Sequence, residues 1–278
     1  MKVFQCGRTR FALEGEHYRP LVMGILNITP DSFSDGGKYF SLPSALKHAK
    51  KMIADGVDII DIGAESSRPG SEPVPLQEEL DRVIPVIKAL KDCGKPLSID
   101  TYKPEVMVEA IAAGADMIND IYGFQSDASI EAVKGCSCGL CVMHMQGNPK
   151  TMQENPRYDN VTLEVTGFLE NQVKWMEEAG IEKDRICIDP GFGFGKTLED
   201  NIILLTHLDF MKEKLDLPVL AGLSRKSVVA QLTGKPVDRR LAGNLAIALS
   251  AVEHGAAILR VHEVAETVDA LKVWLATR

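Results

Sequence analysis

The sequence predicts an α/β protein that folds as a single (β/α)8 TIM barrel with an N-terminal β-hairpin. One observation is a repeated unit, in which an amphipathic helix ends at a glycine and a short strand with a polar end follows. This unit occurs at 52–63, 110–121, 176–191 and 251–262. A second observation is number, because about eight strand-like runs occur in 278 residues. That size suits a barrel of about 250 residues.

The predicted strands are short apolar runs, and a helical pattern follows each of them. They cover 21–28, 58–64, 96–100, 117–121, 139–145, 185–189, 218–223 and 258–262. Pro43 and Gly94 stand where the first helix would start and the second would stop. The first fifteen residues alternate around "GRTR" and predict a hairpin that closes the barrel bottom. An open doubly wound sheet is the alternative, but it needs no eighth unit.

Composition restricts the classes of partner. The net charge is −8 and the pI is about 5.3, which argues against a broad nucleic-acid or anionic-membrane surface. No apolar run approaches the roughly 20 residues of a membrane span, and "MKVFQCGRTRF" lacks the apolar core of a signal peptide. A cytoplasmic protein is predicted. Since no linker or low-complexity stretch divides it, residues 1–278 are predicted to form one domain.

Six cysteines in a chain of this size do not indicate a disulfide framework. Cys136, Cys138, Cys141 and His144 are close enough in sequence to suggest zinc. However, a strand through "GLCVMHM" would direct Cys141 and His144 to opposite faces, whereas zinc needs converging ligands. Inert, buried thiols are the favoured interpretation, and zinc is the alternative.

Polar residues recur at the carboxyl ends of the predicted strands, where barrel active sites lie. They are Asn27, Asp61, Glu65, Asp100, Asn119, His144, Asp189, Ser224, Arg260 and His262. Any one of them alone could be a satisfied polar residue of the barrel interior. Together they predict a ligand site, because buried charges are costly unless they are paired or used.

Two loops predict an anion site. Residues 66–71, "SSRPGS", offer hydroxyls, an arginine and free amides, and residues 224–227, "SRKS", stand where a helix begins. With Arg260 and His262 they suit phosphate or pyrophosphate. A further loop, "DPGFGFGKT" (189–197), has one residue too few for a P-loop. It is predicted instead to be a flexible wall on which Phe192 or Phe194 stacks.

Asp100, Asn119 and Asp189 are predicted to bind a planar heterocycle, because a carboxylate accepts two parallel N–H bonds from an amidine-like edge. These residues belong to a series of motifs spread over residues 26–267, namely "LNITPDSFSDGG", "ESSRPGS", "SIDTYKPEV", "MINDI", "MHMQGNPKTMQ", "DPGFGFGK", "GLSRKS" and "RVHEVAET". This series resembles the motifs of bacterial dihydropteroate synthases, in the same order. The resemblance implies a single pterin-binding TIM-barrel domain over residues 1–278. It also implies condensation of 6-hydroxymethyl-7,8-dihydropterin diphosphate with p-aminobenzoate in folate biosynthesis, inhibition by sulfonamides, and a homodimer.

The resemblance also implies roles for individual residues. Pterin would be held by Asp100, Asn119, Met143, Asp189, Phe194, Gly222 and Lys226. Diphosphate would be held by Asn27, Arg260 and His262, with Asn27 also binding Mg²⁺. Residues around p-aminobenzoate would be Phe33, Ser67, Arg68, Pro69 and Ser227. Catalysis would rest on Asp100, Lys226, Arg260 and His262. Ser67 departs from the threonine usual in the family, which keeps the hydroxyl but loses a methyl group.

The implied order of reaction is departure of diphosphate to leave a pterin cation, followed by attack of the arylamine. A lid that carries residues 31–35 would then exclude water from the cation. Two alternatives share the pterin-binding residues, namely a methyltetrahydrofolate methyltransferase and a non-catalytic pterin or phosphate carrier. Neither needs the groups around a diphosphate together with a lid.

Overall fold

A computed structural model of the chain describes residues 2–15, 18–28, 41–65 and 71–277. It opens with an antiparallel hairpin of β1 (Val3–Cys6) and β2 (Thr9–Ala12). Gly7 turns between them with φ +56°, a left-handed conformation that glycine adopts without strain. Arg8 binds the buried Asp116 through Nε at 2.9 Å, which ties the hairpin to the body of the protein.

Eight parallel strands follow and form a closed barrel in the order β10-β3-β4-β5-β6-β7-β8-β9. Their bounds are β3 (Leu21–Asn27), β4 (Ile59–Gly63), β5 (Leu97–Asp100), β6 (Met117–Asp120), β7 (Gly139–Met143), β8 (Ile186–Asp189), β9 (Val219–Ala221) and β10 (Ala256–Val261). The predicted (β/α)8 barrel is therefore confirmed, and so is the N-terminal hairpin. Several strands end one or two residues earlier than the sequence pattern predicts.

Helices surround the barrel. They are α1 (Leu42–Ala54), α2 (Leu76–Leu90), α3 (Pro104–Ala113), α4 (Asp127–Lys134), α5 (Val161–Glu178), α6 (Leu198–Leu205), α7 (Leu208–Leu215), α8 (Ser227–Thr233), α9 (Leu241–Glu253) and α10 (Val264–Ala276). Pro43 lies in the first turn of α1 as predicted, and Gly94 lies shortly after the end of α2. Two helices, α6 and α7, connect β8 to β9, and two more, α8 and α9, connect β9 to β10, instead of one helix in each connection. In the described ranges, no helix is both long and apolar enough to cross a bilayer.

The apolar core has three parts, which lie between strands and helices, in the lower barrel, and at the carboxyl ends of the strands. The largest lies between strands and helices, where Gly24 of β3 lets α1 and α10 approach closely. A second fills the lower barrel, and there Phe4 and Cys6 of the hairpin pack against strand residues, so the hairpin closes the bottom as predicted. The third is a small apolar cluster at the carboxyl ends of the strands, formed by Ile121, Met143, Met145, Met152 and Phe194.

Candidate active site

Polar strand ends lie at one level across four neighbouring strands. Asn27 is in register with Gly63, Gly63 with Asp100, and Asp100 with Asn119. A Cβ atom on Gly63 would lie 3.8 Å from both Asn27 Oδ1 and Asp100 Oδ2, at ordinary contact distance. The missing side chain at Gly63 thus leaves space between an amide and a carboxylate at the carboxyl end of the barrel.

Arg260 of β10 is clamped between two carboxylates. Its Nε donates to Asp61 Oδ2 at 2.7 Å, and its Nη2 donates to Asp100 Oδ2 at 2.7 Å. Asp61 is fully buried and also accepts from Ser98 Oγ at 2.7 Å. Burial disfavours the charged guanidinium, but Asp61 and Asp100 outweigh it and raise the pKa of Arg260, so Arg260 remains a cation. The clamp holds that cation in one orientation.

Asp100 has an unusual affinity for a proton. Burial raises its pKa to about 7, Arg260 opposes the shift, and the neighbouring Asp61 adds to it. The negative charge of Asp61 nearby therefore adds to the effect of burial on Asp100, and the shared guanidinium of Arg260 compensates for only part of it. The net charge of this cluster near neutral pH therefore responds to any anion or cation that enters.

Asn119 of β6 carries a buried oxygen without a partner. Its side chain is 4% exposed, and Oδ1 has no hydrogen bond to any described residue. Such an atom costs about 1–3 kcal/mol when nothing compensates it. A ligand that presents an N–H group at this point would recover that cost. Asn119 is thus placed to accept from a ligand.

Asp189 ends β8 and is influenced by the charge of the half-buried Lys226. Its Oδ1 accepts from Gly191 N at 2.7 Å. Burial raises the pKa of Asp189, and the charge of Lys226 is the main opposing influence. Lys226 precedes α8 and donates from Nζ to the carbonyl of Phe192, and burial lowers its pKa to about 8 although Asp189 raises it. The charges of the lysine and the carboxylate thus influence each other within the site.

The apolar wall includes one of the two predicted stacking residues. Lys226 Nζ lies 4.4 Å from the ring centroid of Phe194, within the range of a cation–π contact. Phe194 belongs to the cluster with Met143, whereas Phe192 is fully buried in the core outside the barrel. A Cβ atom on Gly222 would lie 3.9 Å from Asp189 Oδ2, so this strand end also leaves space beside the carboxylate. An apolar wall that faces convergent polar groups suits a flat heterocycle.

His262 follows β10 and is oriented by its neighbours. Ser224 Oγ lies 3.0 Å from His262 Nδ1 and donates to Glu263 Oε2 at 2.9 Å. Arg225 Nε donates to Glu263 Oε1 at 2.6 Å. Arg225 of the predicted "SRKS" anion loop is therefore paired with a carboxylate. Because β10 and β3 are adjacent, His262, which follows β10, and Asn27, which ends β3, stand at the ends of neighbouring strands, as the closed barrel requires.

Two predicted strand-end residues have structural partners instead. Glu65 accepts from Tyr102 Oη at 3.0 Å and from Lys103 Nζ at 2.5 Å. His144 lies beyond the end of β7, where Nδ1 is 2.9 Å from Lys196 Nζ and the ring meets Phe168 edge-on. For these two positions, the interpretation as satisfied polar residues is correct.

The remaining predicted residues divide between described and undescribed parts of the chain. Ser227 is the exposed first residue of α8, next to Lys226. The predicted p-aminobenzoate residues Phe33, Ser67, Arg68 and Pro69 lie outside the described residues, as do lid residues 31–35.

Two residues that the sequence analysis did not single out contribute to this end of the barrel. Glu263 accepts from Ser224 and Arg225, and Lys196 is 3% exposed beneath the turn that carries Phe194. Both belong to motifs that were recognised, "RVHEVAET" and "DPGFGFGK". The sequence signal that could have identified them is a charged residue in an otherwise apolar or glycine-rich motif.

Within the described ranges, no group of three or more His, Cys, Asp or Glu side chains is arranged to hold a metal ion. Cys136 Sγ accepts from Cys138 N and from Arg185 Nη2, each at 3.4 Å, and both cysteines are free thiols. The zinc alternative is therefore not supported. Asn27 offers a hard amide oxygen of the kind that Mg²⁺ accepts alongside phosphate oxygens and water.

The fold and site are those of a barrel enzyme that binds a flat heterocycle beside an anion, and comparison with known proteins identifies the class. Residues 23–262 match the pterin binding enzyme family. Dihydropteroate synthase of Escherichia coli K12 is 49% identical over 278 residues, covering 100% of this chain and 96% of that protein.

Solved structures agree. The Burkholderia cenocepacia dihydropteroate synthase complexed with 7,8-dihydropteroate has a TM-score of 0.89 and 50% identity, and covers 100% of this chain and 96% of that one. The Xanthomonas albilineans enzyme with 4-aminobenzoic acid has a TM-score of 0.91 and 48% identity, and covers 99% and 97%. The chain therefore belongs to the pterin binding enzyme family. Within that family it is a member of the dihydropteroate synthases, which are transferases of folate biosynthesis.

Proposed function

We propose that this chain joins 6-hydroxymethyl-7,8-dihydropterin diphosphate to p-aminobenzoate, and that diphosphate departs before the arylamine attacks. The first part is supported by relatives solved with 7,8-dihydropteroate and with 4-aminobenzoic acid. The observation that supports the assignment of the site is the unpaired Oδ1 of Asn119, whose residue is in register with Asp100 on the adjacent strand. A pterin supplies ring and exocyclic N–H groups to such acceptors.

Pterin recognition follows from the two acceptors and the lysine. Asp189 accepts from the aminopyrimidine edge, which offers parallel N–H donors to one carboxylate. Asn119 Oδ1 accepts from the same ligand, and Lys226 donates to its carbonyl or ring nitrogen. Phe194 and Met143 pack against the face of the ring. All five side chains come from four different strands or their following loops, so the barrel frame fixes their relative positions.

Departure of the diphosphate breaks a carbon–oxygen bond, and the electron pair leaves with the anion. Arg260 in β10 and His262 just after it would stabilise the negative charge that develops on the diphosphate, and this favours its departure. Asn27 would hold Mg²⁺, which neutralises part of the diphosphate charge when it is bound. Asp100 then offsets the positive charge on the pterin, and Asp61 keeps Arg260 oriented while Asp100 shifts its interaction from the arginine to the cation.

The arylamine nitrogen next attacks the exocyclic carbon and loses a proton to water. Ser227 at the start of α8 would contact p-aminobenzoate, as would Phe33, Ser67, Arg68 and Pro69, which lie outside the described residues. The proximity of Ser227 to Lys226 supports this arrangement, because it brings the second substrate beside the pterin.

The test combines product analysis with binding order. The chain is incubated with the dihydropterin diphosphate, p-aminobenzoate and Mg²⁺, and pyrophosphate release is assayed. No release would reject the transfer reaction and favour a methyltetrahydrofolate methyltransferase or a pterin carrier. For the order of steps, binding of labelled p-aminobenzoate is measured with and without pyrophosphate. Tight binding that pyrophosphate does not change would contradict departure before attack.

We also propose that the protein acts in the cytoplasm as a homodimer. Exposed apolar side chains on consecutive elements near α8 and α9 support a contact with a second copy, namely Leu232 (55% exposed), Val237 (53%) and Leu241 (42%). Light scattering after gel filtration measures the oligomeric state, and a monomer at micromolar concentration would contradict the dimer. Cell fractionation measures the location.

A further inference from the structure

Lys196 is a buried cation without a carboxylate partner among its hydrogen bonds. It stands between β8 and α6, and its side chain is 3% exposed. Nζ donates to the carbonyls of Gly191 and Phe194, each at 3.0 Å, and lies 2.9 Å from His144 Nδ1. These three shortest contacts match the three N–H bonds of an ammonium group, and the carbonyl of His144 lies further away at 3.5 Å. Lys196 thus ends the turn formed by residues 190–196, and its ammonium group bonds to the carbonyls inside that turn.

The backbone of this turn packs tightly against the chain that follows β7, because its glycines place no side chain between the two segments. A Cβ atom on Gly191 would lie 1.8 Å from the carbonyl oxygen of His144, and one on Gly195 would lie 2.5 Å from that of Gln146. Both glycines have positive φ, at +70° and +65°. Such close approach brings several carbonyl oxygens together away from water, and the ammonium group of Lys196 compensates for them.

The same turn presents two groups to the pterin site. The ring of Phe194 forms part of the apolar wall and lies 4.4 Å from Lys226 Nζ. The carbonyl of Phe192 accepts a hydrogen bond from that same Nζ. Asn201, Gln153 and Tyr158 also bond to backbone groups of the turn. The turn is thus held in place, in contrast to the flexible wall that its glycines predicted.

We infer that Lys196 is a positioning residue for pterin binding, which fixes the Phe194 ring and the Phe192 carbonyl and, through them, Lys226. The inference rests on the proposed pterin site. Lys196 acts without touching the ligand, since its Nζ is already surrounded by Gly191, Phe194 and His144. Loss of the ammonium group releases the carbonyls of the turn, and the ring and the lysine lose their fixed geometry together.

The charge of Lys196 depends on pH. Burial lowers its pKa to about 7, while Asp189 raises it and Lys226 lowers it further, so the ammonium form predominates below about pH 7. Burial also lowers the pKa of His144 to about 3, and Lys196 adds to that shift, so the imidazole is neutral. An ammonium group has only donors, so opposite it Nδ1 is the acceptor. Asp200 is the other acidic group that stabilises the cation.

Lys196→Met tests the inference, and Arg185→Met is the matched control. Arg185 is also a buried cation, 2% exposed, and it donates to the carbonyls of Val133 at 2.8 Å and Cys138 at 3.0 Å. It stands just before β8, at the opposite end of the barrel from the site. Its removal therefore costs stability in a similar way but leaves the turn intact.

Calorimetry would measure the Kd of 6-hydroxymethyl-7,8-dihydropterin and, separately, of pyrophosphate with Mg²⁺. We expect Lys196→Met to weaken pterin binding about tenfold or more, to leave pyrophosphate binding within about twofold, and to lower Tm. Arg185→Met should lower Tm but leave both Kd values within about twofold. An unchanged pterin Kd in Lys196→Met, or an equal loss in both variants, would overturn the inference.

Two further measurements complete the test. In a Phe194→Leu background, Lys196→Met should weaken pterin binding by a smaller factor than in the parent, because the two act through one element. Full additivity would contradict that coupling. If Lys196→Met does not fold, His144→Leu removes one partner of the ammonium group and should weaken pterin binding about threefold, and no change would overturn the inference. A parent chain that does not bind the pterin would reject the proposed function itself.

Discussion

Asn119→Leu should stabilise the ligand-free protein and weaken pterin binding at the same time. Leucine has nearly the shape of asparagine but carries no polar atom. In the ligand-free chain the buried Oδ1 has no partner among the described residues, and the side chain is 4% exposed. The substitution therefore removes an uncompensated acceptor from the barrel interior. In the complex it removes an acceptor that the ligand uses.

The two effects can be given magnitudes. An unpaired buried acceptor costs about 1–3 kcal/mol, so its removal should raise the free energy of unfolding by about 1 kcal/mol after imperfect packing of leucine is allowed for. In a large domain this corresponds to a rise in Tm of about 2–4 °C. In the complex, a pterin N–H group left without an acceptor costs about 1–3 kcal/mol, which weakens binding between about fivefold and 150-fold.

Thermal unfolding of the ligand-free protein and calorimetric titration with 6-hydroxymethyl-7,8-dihydropterin measure both quantities. Asn244→Leu is the control, because Asn244 is 5% exposed but bonded, accepting from Arg225 N at 3.1 Å and donating to Glu263 Oε2 at 3.3 Å. It should lose stability and keep its pterin affinity. If Asn119→Leu also loses stability, or binds pterin as tightly as the parent, the reasoning about Oδ1 is wrong.

Three further changes have defined outcomes. Asp189→Asn should weaken pterin binding about tenfold or more, since charge-assisted bonds contribute about 1.5–3 kcal/mol each, and calorimetry with pyrophosphate should show no loss. Gly24→Ala places a methyl group 2.9 Å from Val264 and should destabilise the fold by about 1–3 kcal/mol in urea unfolding; an unchanged midpoint would contradict the close packing. Because the pKa of Asp100 is raised to about 7 in the fold, the unfolded chain ionises first as pH rises from about 4 to about 7, so stability falls across that window. Asp100→Asn should show a shallower fall in urea unfolding, and an equal slope would disprove the shift.

The fold could be predicted because its signals are local. Each repeat places a glycine after a helix and branched apolar residues in the next strand, and these preferences act over about twenty residues. The size of the chain and the count of strands then leave few closed arrangements. The connections were less predictable, since the pair α6–α7 occupies a segment whose apolar pattern is that of one helix. A break such as Thr206–His207 depends on packing more than on propensity.

By itself the sequence determined which residues stand at the strand ends, because alternation along a strand sets the face and the carboxyl ends of parallel strands share one edge. Only the tertiary structure decided which groups pair there. Arg260 meets Asp61 and Asp100 from 199 and 160 residues away, and that choice depends on the register between strands. The same holds for His144. The strand β7 ends at Met143, two residues earlier than predicted, and the His144 ring lies against Lys196 beyond the strand. Such pairings arise from geometry between distant segments, to which residue type and spacing along the chain contribute no direct signal.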